Sequence, residues 1–269
     1  MAQLKLRVGQ VTAEEMLPPL ETLSEAAEDI GIRGARGERQ YVDEKVLEDN
    51  FLYLEFRQEV TEELPQFTTE DAEEVEDEDT EEDSVVEVDE TFVARKMRFI
   101  LRDDPNREGR FYAFESTRGV YGEDAIEYLT EDMDITGLSC HRRETFPPDW
   151  IESFYESVNA VRKVKLDNIS EFEVEELDDL SDLVSGLGGP AQLVQFSDSG
   201  QGNNLRDSDL VDAVTRVSRI KFVSGVDIED NLQKLNRKGR LTISHPSDLN
   251  PEEQAERMYI ATDNIIRQL

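Results

Sequence analysis

The charge of this chain constrains it more than any other feature. It carries 63 Asp and Glu against 29 Lys and Arg, a formal net of −34 at pH 7. The basic side is itself skewed, with 8 Lys and 21 Arg. A fold this acidic repels itself in dilute buffer. At about 1 M salt the Debye length falls to about 3 Å and the repulsion is screened. A surface rich in carboxylates and poor in lysine therefore points to a protein that works in molar salt. The expected setting is the cytoplasm of a halophilic archaeon.

The charge is unevenly spread. Residues 1–90 hold 29 acids and 7 bases, whereas residues 91–269 hold 34 acids and 22 bases. Much of the difference lies in residues 70–83 (EDAEEVEDEDTEED), where 11 of 14 positions are Asp or Glu. Like charges at this density bury nothing, so a disordered or solvated loop is expected there. The sharper alternative is a nucleic-acid mimic that shields a basic surface of the same molecule.

At 269 residues the chain has room for one large domain or two small ones. A single cysteine, Cys140, excludes an intramolecular disulfide. No stretch of about 18 apolar residues exists, so no membrane span is expected. The start, MAQLKLRVGQVTAEE, lacks the apolar run of a signal peptide.

Hydrophobic periodicity divides the chain at residue 120. In 1–120, Leu4, Leu6 and Val8 alternate with charged residues, predicting a first strand. A helix over 13–30, interrupted near Pro18 and Pro19, follows. Strands are then expected at 51–59, 85–102 and 111–116, with a turn at 104–106. From 121 to 269 the pattern reads as alternating helices and strands. Helices are predicted at 122–131, from Pro148, at 176–187, after Ser208 and from Asp227 to Gly239. Strands are predicted at 160–166, 191–196, 219–223 and in LTIS. Asn250, Pro251 and Glu253 form a capping box for a last helix, which is expected to dock on the sheet. The fold class so predicted is α+β: an antiparallel N-terminal sheet region, then a mixed α/β region with a C-terminal docking helix.

Catalytic chemistry finds little support. Cys140 and His141 are adjacent, but neighbours on a strand point to opposite faces, so the imidazole is badly placed to activate the thiol. A zinc site wants three or four Cys or His ligands, and His141, His245 and Cys140 are the whole supply, without ligand spacing. Asp132 and Asp134 read as surface charges. The loop Ser197–Asn204 follows a strand and precedes a helix, as a phosphate cradle would. It lacks both the GxGxxG spacing and the Gly-Lys-Ser/Thr ending. No catalytic residue, metal ligand or cofactor is nominated.

The rare bases are where the pattern becomes informative. Period two puts Lys96, Arg98 and Arg102 on one face of a strand, with Val93, Met97, Phe99 and Leu101 on the other. Lys163 and Lys165 share a face of a second strand. Arg219 and Lys221 lie opposite Ile220 and Phe222 on a third. Four of eight lysines sit on these three strands. If the strands share a sheet face, it can follow a phosphate backbone. The competing reading is a set of structural salt bridges. A further cluster, Lys234, Arg237, Lys238 and Arg240, is placed at the end of a predicted helix, where cations also satisfy the dipole.

The strand pair RKMRFILRDD and RFYAFES, the helix GEDAIEYL and the capped last helix give a layout over 85–269 that resembles prokaryotic antiviral DNA-binding proteins. These include the RexA phage-exclusion protein and the DNA-binding subunit of Kiwa. The resemblance implies non-catalytic, largely sequence-independent DNA binding, in a homodimer or with a defence-complex partner. It carries over no individual residue. The expectation is a non-enzymatic binding protein that engages nucleic acid. One alternative is an assembly subunit that pairs through its last helix. Another is a metal-dependent hydrolase or nuclease.

Overall fold

The computed structural model describes residues 2–14, 16–62, 91–103, 110–167, 193–198, 202–216, 218–227 and 231–266. The acidic run at 70–83, the turn at 104–106 and the predicted helix at 176–187 lie outside them. In chain order the elements begin with β1 (Ala2–Thr12), α1 (Leu20–Ile30), β2 (Gln40–Glu48), β3 (Phe51–Glu62), β4 (Thr91–Asp103) and β5 (Arg110–Glu115). Next come α2 (Gly122–Thr130), β6 (Ser139–Arg142), α3 (Pro148–Ser157), β7 (Ala160–Asp167) and β8 (Leu193–Ser197). The chain then forms α4 (Asp209–Arg216), β9 (Arg219–Val226), β10 (Leu232–Asn236), β11 (Arg240–His245) and α5 (Pro251–Ile266).

All eleven strands belong to one sheet, in the order β2-β3-β4-β5-β1-β11-β10-β9-β7-β8. The eleventh, β6, pairs with β1 at Gly9–Thr12, beyond the stretch Ala2–Leu6 that β11 takes. Every strand pairing is antiparallel. The N-terminal strand thus sits mid-sheet and joins the strands before residue 120 to those after it.

This architecture corrects the predicted fold class. The protein is mostly β, not α+β with an alternating α/β second region. The decisive segment is 227–239, predicted as a helix. Asp227 does accept the backbone N–H of Asn231 on its Oδ1, at 2.9 Å. That bond links the residues that flank β9 and β10, and Asp227 N donates to Asn231 O. Leu232 and Leu235 mimic helical spacing. In the strand, Gln233 and Leu235 are buried while Lys234 and Asn236 point away. A five-residue apolar pattern is too short to separate period 2 from period 3.6. Gly239 sits at φ +68° in the next turn, where a Cβ would lie 2.4 Å from Arg143 O. β2 was not predicted either, because its residues are half-buried or exposed and carry no apolar signal.

Two cores result, one on each face. The larger joins Leu4, Leu6 and Val8 of β1, Val164 and Leu166 of β7, Val223, Leu235, Leu241 and Ile243 to α3, α4 and α5. Trp150, Ile151 and Phe154 of α3 are the bulk of that packing, at about 1.5–3 kcal/mol for each large side chain buried. The smaller core lies on the opposite face. It seats Leu52, Leu54 and Phe56 of β3, Met97, Phe99 and Leu101 of β4, and Tyr112 and Phe114 of β5 under α1 and α2. The last helix is capped as predicted: Glu253 N donates to Asn250 Oδ1 at 2.9 Å and Asn250 N to Glu253 Oε2 at 3.0 Å. It docks on the sheet through Ala255, Met258, Ala261 and Ile265.

Candidate nucleic-acid interface

The two faces of the sheet are unequally covered. Among the described residues, helices pack along one face from end to end. On the other, α1 and α2 cover only the half built from β3, β4 and β5. The second half of that face, from β1 through β11, β10, β9 and β7 to β8, has no described helix over it. Its side chains are those that alternate with the larger core.

Register places these side chains in rows across the sheet. In one row Lys5 pairs with Thr242, Thr242 with Lys234, Lys234 with Ser224, Ser224 with Lys163, and Lys163 with Ser197. One step along, Arg240 pairs with Asn236, Asn236 with Phe222, Phe222 with Lys165, and Lys165 with Gln195. Arg7 stands at the head of this second row, one residue beyond the Leu6–Leu241 pair. Six cations occupy the two rows and no acid does. With strands about 4.8 Å apart, Lys5, Lys234 and Lys163 follow one another at intervals of roughly 10 Å. All six are half-buried or exposed.

Among the described residues these cations have no acidic partner in a salt bridge. Among the described residues Lys5, Lys163, Lys165, Lys234 and Arg240 form no ion pair, and Lys165 Nζ lies 5.6 Å from the centroid of the Phe222 ring. Arg7 Nη1 donates to the carbonyl of Lys238 in the β10–β11 turn at 2.8 Å. Its pKa is lowered, by burial first and by the charge of Arg240 second, with Glu144 opposing and Arg142 adding to the repulsion. Acids mark the rim: Glu144 pairs with Arg142 at 2.8 Å, and Asp167 pairs with Lys221 at 3.0 Å. Arg142 also lies over the exposed ring of Tyr121, at 5.3 Å.

The seven bases predicted from sequence divide. Lys163 and Lys165 lie on the open face. Lys221 and Arg219 stand at its end beside Asp167, Arg219 by register and Lys221 by its ion pair. Lys96, Arg98 and Arg102 belong to the other half of the sheet and to its covered face, separated from β9 by four strands. They are structural there. Lys96 pairs with the buried Glu55, and Arg98 Nη1 donates to Glu115 Oε2 at 2.9 Å. Arg102 is 5% exposed; it pairs with Asp263 at 2.6 Å, donates to Tyr259 O and stacks on the Tyr259 ring at 4.2 Å, which clamps α5 to β4.

Sequence reasoning missed Lys5 and Arg7 as site residues, although their alternation with Leu4, Leu6 and Val8 was legible. It grouped Lys234 and Arg240 with a helix that is a strand. It also placed Phe222 on the same strand face as Ile220. A β-bulge overturns that placement: Lys165 pairs with Phe222 and Leu166 with Ile220, so β9 spends two residues where β7 spends one. Ile220 and Val223 both enter the core, and Phe222 turns out onto the basic face.

Among the described residues the other candidate groups stand apart from one another. The Cys140 thiol is pushed up to about 11 by burial and by Glu123 and Glu127, so little thiolate forms near neutral pH. His141 is exposed and contacts Ser139 Oγ, while His245 is buried. Among the described residues no group of three or more His, Cys, Asp or Glu is placed to hold a metal ion. An open cleft of about 650 Å³ beside β2 and α5 is lined by Glu48, Asp49, Glu252, Glu253 and Glu256, which repel phosphate. No described helix is long and apolar enough to cross a membrane. No family model and no curated protein matches the chain.

Proposed function

We propose that this chain is a non-enzymatic nucleic-acid-binding protein of a halophile's cytoplasm, and that it engages the phosphate backbone through the open basic half of its sheet. One observation carries the reading. A chain of net charge −34 keeps six cations in two adjoining rows free of acids, four of them among its eight lysines. The arrangement is costly in isolation, since Arg7 feels the charge of Arg240. A bound phosphate relieves that repulsion and releases counterions. Register carries no base-specific pattern, so binding is largely independent of sequence, as the resemblance to prokaryotic antiviral DNA-binding proteins also implies. A defence role belongs to the same proposal.

The assembly alternative would use α5, where Ala255, Met258, Ala261 and Ile265 are buried in the protein's own core and Ile260 is exposed. The test is DNA binding in molar KCl by the wild type and by a K163E/K165E/K234E variant. A loss of tenfold or more supports the reading; unchanged binding overturns it.

A further inference from the structure

Resting on that reading, we infer that the preferred ligand is single-stranded nucleic acid, with Phe222 as the platform on which an unpaired base stacks. Phe222 is a half-buried aromatic ring in a row otherwise made of cations and neutral polar groups. It is there because of the β9 bulge, which takes it out of the core alternation that Ile220 and Val223 keep. A large apolar ring on a water-facing surface loses burial energy unless a ligand covers it.

The surroundings fit one kind of ligand. In a duplex the base faces are stacked on one another, so a protein ring cannot lie on them. In a single strand each base offers a free π-face, and stacking tolerates any base. Lys165 stands on one side of Phe222 and Asn236 on the other, with Arg240 next beyond Asn236. A strand laid across the sheet with a base on Phe222 has cations for its phosphates on both flanks. Asn236, Gln195, Ser224 and Thr242 supply neutral donors and acceptors between them. Lys165, now over the ring at 5.6 Å, is a flexible chain that can yield the ring to a base and turn to the adjacent phosphate.

Solvent strengthens the argument. Phosphate contacts alone lose affinity steeply as salt rises. Base–aromatic stacking is not a charge interaction and survives the screening that molar salt imposes. In such a solvent a stacking group adds affinity that salt does not screen away. Phe222 is that group on this face.

The test uses the full chain in molar KCl, with fluorescein-labelled oligothymidylate and the duplex of oligothymidylate with oligoadenylate of equal length. Tighter binding of the single strand is expected. Phe222→Ala should weaken it at least about fivefold while leaving duplex binding unchanged. Phe222→Trp should restore it, which separates stacking from any loss of fold; a thermal melt of each variant checks the latter. Equal or tighter binding of the duplex, or an F222A variant that binds oligothymidylate like wild type, overturns the inference and leaves the basic-face reading standing. If K163E/K165E/K234E binds both probes like wild type, that reading falls and this inference with it.

Discussion

Two sets of cations stand on one sheet and behave differently. Lys96, Arg98 and Arg102 lie on one face of β4, each matched to a carboxylate, and α5 roofs Arg98 and Arg102. Lys163, Lys165, Lys234, Lys5, Arg7 and Arg240 lie on the open face of the other half, in rows without an acid. In the sequence both sets look alike: bases at period two on β-rich segments. The difference teaches that a cation's role here is decided by which face it takes and what covers that face. A roofed charge must be neutralised locally, because leaving it unpaired costs several kcal/mol. An open one can wait for a partner, because water solvates it.

The comparison can be broken by mutation, starting where the effect is largest. Arg102→Ala removes an ion pair, a carbonyl contact and a ring contact at once, in a site almost closed to water. It should cost about 3 kcal/mol in a urea melt in molar KCl. A loss comparable to that of an exposed arginine would mean that the clamp on α5 is not structural. Gly239→Ala forces a side chain into a left-handed turn and against Arg143 O, and should cost about 2 kcal/mol. It should also weaken nucleic-acid binding, since that turn leads into Arg240 and holds Arg7 through Lys238 O. Undiminished affinity would show that the turn does not shape the basic face.

Lys96→Gln leaves buried Glu55 with only Arg98 as a nearby cation, at 4.0 Å, and should cost about 1 kcal/mol with affinity unchanged. A fall in affinity would put β4 back into the interface. Lys165→Gln should have the smallest effect on stability, within about 0.5 kcal/mol. It should instead lower affinity and reduce the slope of log K against log salt by about 0.7 for a single strand. A change in the melt without a change in the salt slope would make Lys165 structural after all.

Much of the N-terminal half was legible. The alternation in β1, the aromatic run of β3 and the segment FYAFES each carry a strand signal strong enough to survive without context. The helices α2, α3 and α5 were legible from their first turns and spacing, and α5 from its capping box. The C-terminal half was misread at 227–239, because Asp and Gly punctuate turns and helices alike. Of the site, Lys163 and Lys165 were legible. Lys5 and Arg7 joined them through the β1–β11 pairing of residues far apart in the chain, and Lys234 and Arg240 through the β7–β9, β9–β10 and β10–β11 pairings. No local pattern encodes the bulge that exposes Phe222.

By itself, then, the sequence determined the excess of carboxylates, the scarcity of lysine that makes each one informative, and the strands and helices with strong local period. Local periodicity and capping depend on neighbours a few residues away, so they can be read along the chain. The tertiary structure decided that β1 lies mid-sheet between β5 and β11, that α5 roofs Arg98 and Arg102, and that another set of bases shares a face with no described helix over it. Those outcomes depend on register between distant strands, where a shift of one residue exchanges core for surface.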